Sequence, residues 1–185
     1  TLMPLVSHIT HMPSHIYIRT GNFERGIKVN DKAIAAFQIY KKQYAPTMAG
    51  FGLYEAHNNH LKLACAQMAG NYARSGKGAE ALKNSIPADY LAMKGADGNF
   101  MQYIFAEPSL TAVRFGKWDE ALKVKPVDSL PYATLLIHFA KGVAWAGKDD
   151  AIKAQLELQS LQVKLADTSL NAKNDNFSTA YDVAQ

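Results

Sequence analysis

Five of the six histidines fall in two short clusters: His8, His11 and His15 in HITHMPSHIYIRTGNF, and His57 and His60 in HNNHLKLACAQMAGNY. Imidazole is the commonest side-chain metal ligand, offering one neutral ring nitrogen to the ion while an outer-shell acceptor holds the other. These five residues suffice for a transition-metal site, zinc or copper, and Met12 and Met48 could add soft ligands for copper. Tyr54 and Glu55, just before His57, are the candidate outer-shell acceptors. At helix openings the rings would be kept neutral by the positive end of the helix dipole and so stay available to an ion. Two other readings remain open. In one, the histidines cap helices and bond backbone carbonyls around Pro13. In the other they act in general acid–base chemistry, for which Glu55 is the one carboxylate close in sequence.

The elements that must carry these residues are repeated. Offset by 49 residues, His8/His57, His11/His60, Gly21/Gly70, Asn22/Asn71 and Phe23/Tyr72 coincide or exchange conservatively. Offset by 95, Pro13-Ser14 matches Pro108-Ser109, Arg19 matches Arg114, Gly21 matches Gly116 and Phe23 faces Trp118. Each copy is an apolar-periodic run ending at a glycine, which accepts the left-handed conformation that closes a helix, and an aromatic two residues later opens the next helix. Gly26 and Ala121 fill the same small-residue slot, five after the glycine, and Gly147-Lys-Asp-Asp-Ala151 is a looser fourth version. Neighbouring repeats stack, so His8/His57 and His11/His60, as equivalent positions, should come together. The sharpest expectation is His11 beside His60, with His8, His15 and His57 around them.

Read in order, the chain predicts a lead-in over 1–6 and a short helix from Pro13 to Thr20, with the first histidines in a loop folded over its start. A longer helix kinked at Pro13 is the alternative; the recurrence of Pro108 favours the short one. A helix from Asn22 to about Tyr44 follows, then a loop over 45–56. Asn58 or Asn59 would cap a helix reaching about Ala69, and its partner runs from about Tyr72 to Ser85, unless Gly76 is the turn. Ala88–Lys94 is a short helix. Tyr103–Phe115 pairs with Trp118–Lys123, and Tyr132–Ala146 with Asp149–Ala166. Asp167–Asn176 is a polar loop, and 177–185 opens a further element.

No alternation of useful length points to strands, so the class is all-α: one domain of stacked antiparallel helix pairs over about 8–44, 57–86, 103–124 and 132–166, with 167–185 starting another. The chain is 48% hydrophobic and 19% charged, enough to bury a sizeable core in its 185 residues. Its opening on Thr1 and its close at Ala184-Gln185 suggest a piece of a longer protein, which leaves the compartment unread.

Composition narrows the function. The net charge is +4, but the lysines are scattered and the longest basic run is Lys41-Lys42, which argues against nucleic-acid binding. No stretch approaches the roughly 18 apolar residues of a membrane span. The single Cys65, in LKLACAQM, reads as a buried structural thiol, and His138, in LLIHFA, as a satisfied core residue. There is no G-x-x-x-x-G-K-[ST] loop, no G-x-S-x-G elbow and no HExxH.

Tyr17, Gly21, Phe23 and Ala33 in the first copy, Gly70 and Tyr72 in the second, and Gly116, Trp118 and Ala121 in the third resemble tetratricopeptide repeats. HMPSHIYIRTG and HNNHL resemble a bacterial group of such proteins carrying an HMPSHIY-type segment followed by an HN-x-H segment. The turn glycines lie 49, 46 and 31 residues apart, against about 34 for a regular repeat, so the stack should be irregular. The resemblance implies a TPR-like α-solenoid whose concave face, on which the histidines would lie, binds a protein or peptide without catalysis. Tyr17, Arg19, Tyr54, Asn58 and Tyr103 are the candidates for meeting that partner. The alternative is a metal-binding carrier or metalloenzyme built on the histidine cluster.

Overall fold

The computed structural model describes residues 6–44, 52–173 and 179–184. It is all-helical, with no strand among the described residues. The chain forms two compact units, Thr1–Ile86 and Pro87–Gln185, each holding two of the helix pairs expected from sequence.

The first unit contains α1 (Ser7–His11), α2 (Pro13–Arg19), α3 (Phe23–Tyr44), α4 (Gly52–Met68) and α5 (Tyr72–Asn84). The expected loop ahead of Pro13 is instead a helical turn. Pro13 has no amide hydrogen to continue the ladder, so α1 ends and α2 begins with proline at its first position, yet Met12 between them keeps helical dihedrals (φ −48°, ψ −39°). The arrangement is nearer the kinked helix than the short one. Pro108 does not start a helix; it lies inside a longer one.

Further along, α4 starts at Gly52, inside the stretch read as loop; residues 45–51 lie outside the described set. Asn58 and Asn59 are therefore mid-helix and buried rather than caps. The turn before α5 is at Gly70, with Gly76 inside α5.

Helices α3 and α4 run antiparallel. Gly26 faces Cys65, Asp31 pairs with Lys62 (2.6 Å), and Gln38 donates to Glu55 (2.5 Å). Ile27, Cys65 and Ala66 form the buried contact, with Ile18 of α2 against it. Gly26 permits the approach: a Cβ there would stand 2.5 Å from Cys65 Sγ.

The second unit contains α6 (Ala88–Leu91), α7 (Ala96–Arg114), α8 (Trp118–Lys123), α9 (Pro131–Ala146), α10 (Ala151–Lys164), a 3₁₀ turn (Thr168–Asn171) and α11 (Ala180–Ala184). The seven residues that extend α7 ahead of Tyr103 follow Gly95, whose φ of +86° turns the chain into the helix. Ala112, Ala121 and Ala144 meet where α7, α8 and α9 pack, and Trp118 lies against them. A larger core joins Leu135, Leu136, Leu161 and Leu170.

The four turns share one closing device. Asn22, Asn71, Lys117 and Asp150 each donate a backbone N–H to the carbonyl five residues back, at 2.9, 3.2, 2.8 and 3.0 Å. Gly21, Gly70 and Gly116 take positive φ, as the repeat predicts. The fourth turn departs from it: Gly147 stays right-handed (φ −66°) and Asp149 is the left-handed residue (φ 60°). Gly147 has a different duty there, since a Cβ on it would stand 2.5 Å from the Trp118 ring.

Candidate metal centre

His11 is the centre of the cluster. It ends α1, is 0% exposed, and neither ring nitrogen has a hydrogen-bond partner. A buried polar atom without a partner is rare, because its lost hydration is not replaced. Around it stand His57 of α4 at 4.7 Å between ring centroids, His15 of α2 at 4.9 Å and His8 of α1 at 5.1 Å. His15 and His57 are 5.8 Å apart, and His8 is 6.5 Å from His57. One ligand nitrogen each from His11, His15 and His57 lies within 4.8 Å of the others. Tetrahedral zinc with bonds near 2.0–2.1 Å holds its nitrogens about 3.3 Å apart, so rotamer adjustment brings these three to one ion.

Helix packing makes this trio. The break at Pro13 lets α1 and α2 lie on α3 and α4 with His11 buried, His15 half-buried and His8 at the exposed edge. Ser7 Oγ donates to the Ala33 carbonyl of α3 (2.8 Å) and accepts from Asn58 Nδ2 of α4 (2.8 Å), clamping α1 between them. Ser14 Oγ donates to the His11 carbonyl (2.6 Å), tying α2 back to α1 across the proline.

Electrostatics favours neutral rings. The His11 pKa is lowered to about 4, first by burial and then by His57, His15 and His8, while Asn30 acts in the opposite sense. Asn30 reaches the ring without completing a hydrogen bond within ordinary limits, since its own Oδ1 is also unpartnered. Much of His57 is exposed, yet burial of its inner edge still leads the causes that lower its pKa, followed by His15, His60 and His8. The helix dipole is not the cause: His8 and His11 lie in the last turn of α1, and His57 lies within α4.

The expected His11–His60 meeting is replaced by His11–His57. Three residues of helix separate the two α4 histidines by about 60° around its axis, and the rotation of α4 turns His57 rather than His60 to His11. Glu55 is not an outer-shell acceptor; it accepts from Gln38 and lies 3.7 Å from Lys41. Tyr54 stands edge-on to His8 at 5.5 Å. Met12 is exposed, and Met48 lies outside the described residues.

Among the residues expected to meet a partner, Arg19 and Tyr54 are exposed and Tyr17 is half-buried. Asn58 is fully buried, its amide turned to Ser7, so it has no surface to offer. Tyr103 is half-buried in the second unit, where burial and then Glu107 push its hydroxyl pKa up. Cys65 is buried with its thiol pKa raised by burial, the structural role expected. His138 is satisfied by Glu157 Oε2 at 2.7 Å. The residue that sequence reading passed over is Asn30, a polar side chain on the apolar stripe of α3 formed by Ile27, Ala33 and Phe37. A buried polar position within an amphipathic stripe was the signal for it.

No family model, curated protein or solved structure matches the chain.

Proposed function

We propose that this protein binds a first-row transition ion, zinc or copper, through His11, His15 and His57. The observation that carries the reading is His11, fully buried with both ring nitrogens unpartnered among three other imidazoles. A helix-capping or core histidine ordinarily has its ring nitrogens paired, so the unpaired ring supports a ligand role. Neutral imidazoles suit zinc and copper, and no carboxylate belongs to the group. With His57 partly open to solvent, a fourth position is left for water, His8 or an external ligand, the pattern of an exchangeable centre rather than a sealed structural one. The helix pairs are read as TPR-like repeats, supported by the common closing bond of the four turns. Metal analysis after purification, with zinc and copper titration of the stripped protein, tests this. About one ion per chain, lost in His11→Ala, is expected. No metal on purification and no binding at micromolar zinc or copper overturns it.

The second reading is a scaffold for a protein or peptide. Ile9, Met12 and Ile16, exposed together along α1 and α2 beside Arg19, favour it. A peptide array read with Ile16→Glu tests that face: retention by the wild type and loss in the variant are expected, and no retained peptide counts against it.

A further inference from the structure

We propose that Asn30 is the positioning residue of the histidine centre: its carboxamide oxygen takes the N–H of one His11 ring nitrogen, leaving the other, lone pair outward, to face His15 and His57. This deepens the metal reading and rests on it for its purpose, but the orienting contact itself needs no ion.

The argument starts from unpaired atoms. Five buried side-chain nitrogen or oxygen atoms among the described residues lack a partner: both ring nitrogens of His11, Asn30 Oδ1, Asn58 Oδ1 and Ser109 Oγ. The first three belong together. Asn30 lies on α3, against which α1 packs, and its side chain interacts with the His11 ring; both residues are 0% exposed. A neutral imidazole carries one donor and one acceptor, and a carboxamide oxygen can only accept. A buried donor facing a buried acceptor, both unpaired, settles by a small shift into one hydrogen bond.

The oxygen is the Asn30 atom left without a partner, while the nitrogen gives one of its hydrogens to the backbone. Asn30 Nδ2 donates to the Gly26 carbonyl at 2.9 Å, one turn back on α3. Flipping the amide would set two acceptors against each other at that carbonyl, so the usual ambiguity between amide oxygen and nitrogen is resolved here by the backbone. Gly26 itself is fixed by its contact with Cys65. Orientation thus passes from the α3–α4 contact to Asn30, and from Asn30 to His11. Metal-bound histidines commonly give their second N–H to such an acceptor, which fixes the tautomer and makes the ligand more basic.

The test reads the tautomer and the metal separately, on the full chain. In metal-free, 15N-labelled protein at neutral pH, two-bond 1H–15N correlations of His11 should show a single tautomer with one slowly exchanging ring N–H. Asn30→Leu, which keeps the side chain's shape and removes its oxygen, should mix the tautomers without loss of helicity. Zinc affinity should fall roughly 10–100-fold in Asn30→Leu. Should Asn30→Leu fail to fold, Asn30→Ala serves with the same expectations. Mixed tautomers in the wild type, or a single one unchanged by removing the amide, overturn the proposal. A single, Asn30-dependent tautomer in a protein that takes no zinc upholds the positioning and sinks the metal reading instead.

Discussion

His11 and His57 meet edge to face, ring centroids 4.7 Å apart and planes inclined by 78°, one from the last turn of α1 and the other from the middle of α4. The contact joins segments more than forty residues apart in the chain. Burial is the first cause that lowers both pKa values, although His11 is fully enclosed and much of His57 is exposed.

The contact separates the two α4 histidines experimentally. His57→Ala is expected to weaken zinc binding by more than the roughly 10–100-fold typical of an outer-shell change, and His60→Ala by less than tenfold. Isothermal titration of the two variants checks this. Equal losses would mean that α4 presents both rings to the ion.

The metal-free protein should lose stability on mild acidification. The folded pKa of His11, about 4, lies below the ordinary 6.5, so the unfolded chain binds the proton more readily. Stability from the neutral ring is fully present above about pH 6.5, declines as pH falls through 6.5 to 4, and levels off below that. At roughly 1.4 kcal/mol per pKa unit, His11 accounts for an order of 3 kcal/mol across that window. Urea denaturation at stepped pH should show this slope in the wild type and a shallower one in His11→Gln. Parallel slopes would rule His11 out as its source.

Gly26→Ala should destabilise the first unit by about 1–3 kcal/mol, because the added methyl meets Cys65 Sγ in a filled core. The double variant Gly26→Ala/Cys65→Ala should recover part of that loss, since removing sulfur vacates the space. Denaturant midpoints for the two singles and the double give the coupling. Simple additivity would show that the helices separate rather than clash.

Gly147→Ala tests the fourth turn with an opposite sign from local expectation. Its φ of −66° is ordinary for alanine, and helix propensity alone would favour the change by up to about 1 kcal/mol. The Trp118 ring, 2.5 Å from the new Cβ, should reverse the sign and lower the melting temperature. A raised melting temperature would show that the indole moves aside at little cost.

Much of the architecture is local and therefore legible. Apolar spacing at 3.6 residues identified α3, and the repeated glycine-aromatic turn placed α5, each to within a residue or two; glycines needing positive φ marked the turns at 21, 70 and 116. Of the five histidines singled out from the sequence, His8, His11, His15 and His57 stand together, but repeat equivalence chose the wrong mate for His11. Sequence failed where the deciding contact was distant. Gly147 reads like the other turn glycines until Trp118 is seen against it. Pro13 and Pro108 share an offset but not a role, since one divides two helices and the other is carried inside one.

The sequence by itself determined that this chain is helical, paired at glycine turns, and provided with five imidazoles near two of its helix pairs. Only the tertiary structure decided that His57 rather than His60 faces His11, that His11 is fully buried, and that Asn30 stands beside it. The physical reason is rotational. Periodicity fixes which residues share a face of one helix, but the angle at which that face meets its neighbour is set by packing across distant segments, through contacts such as Gly26 against Cys65 and Ser7 between Ala33 and Asn58.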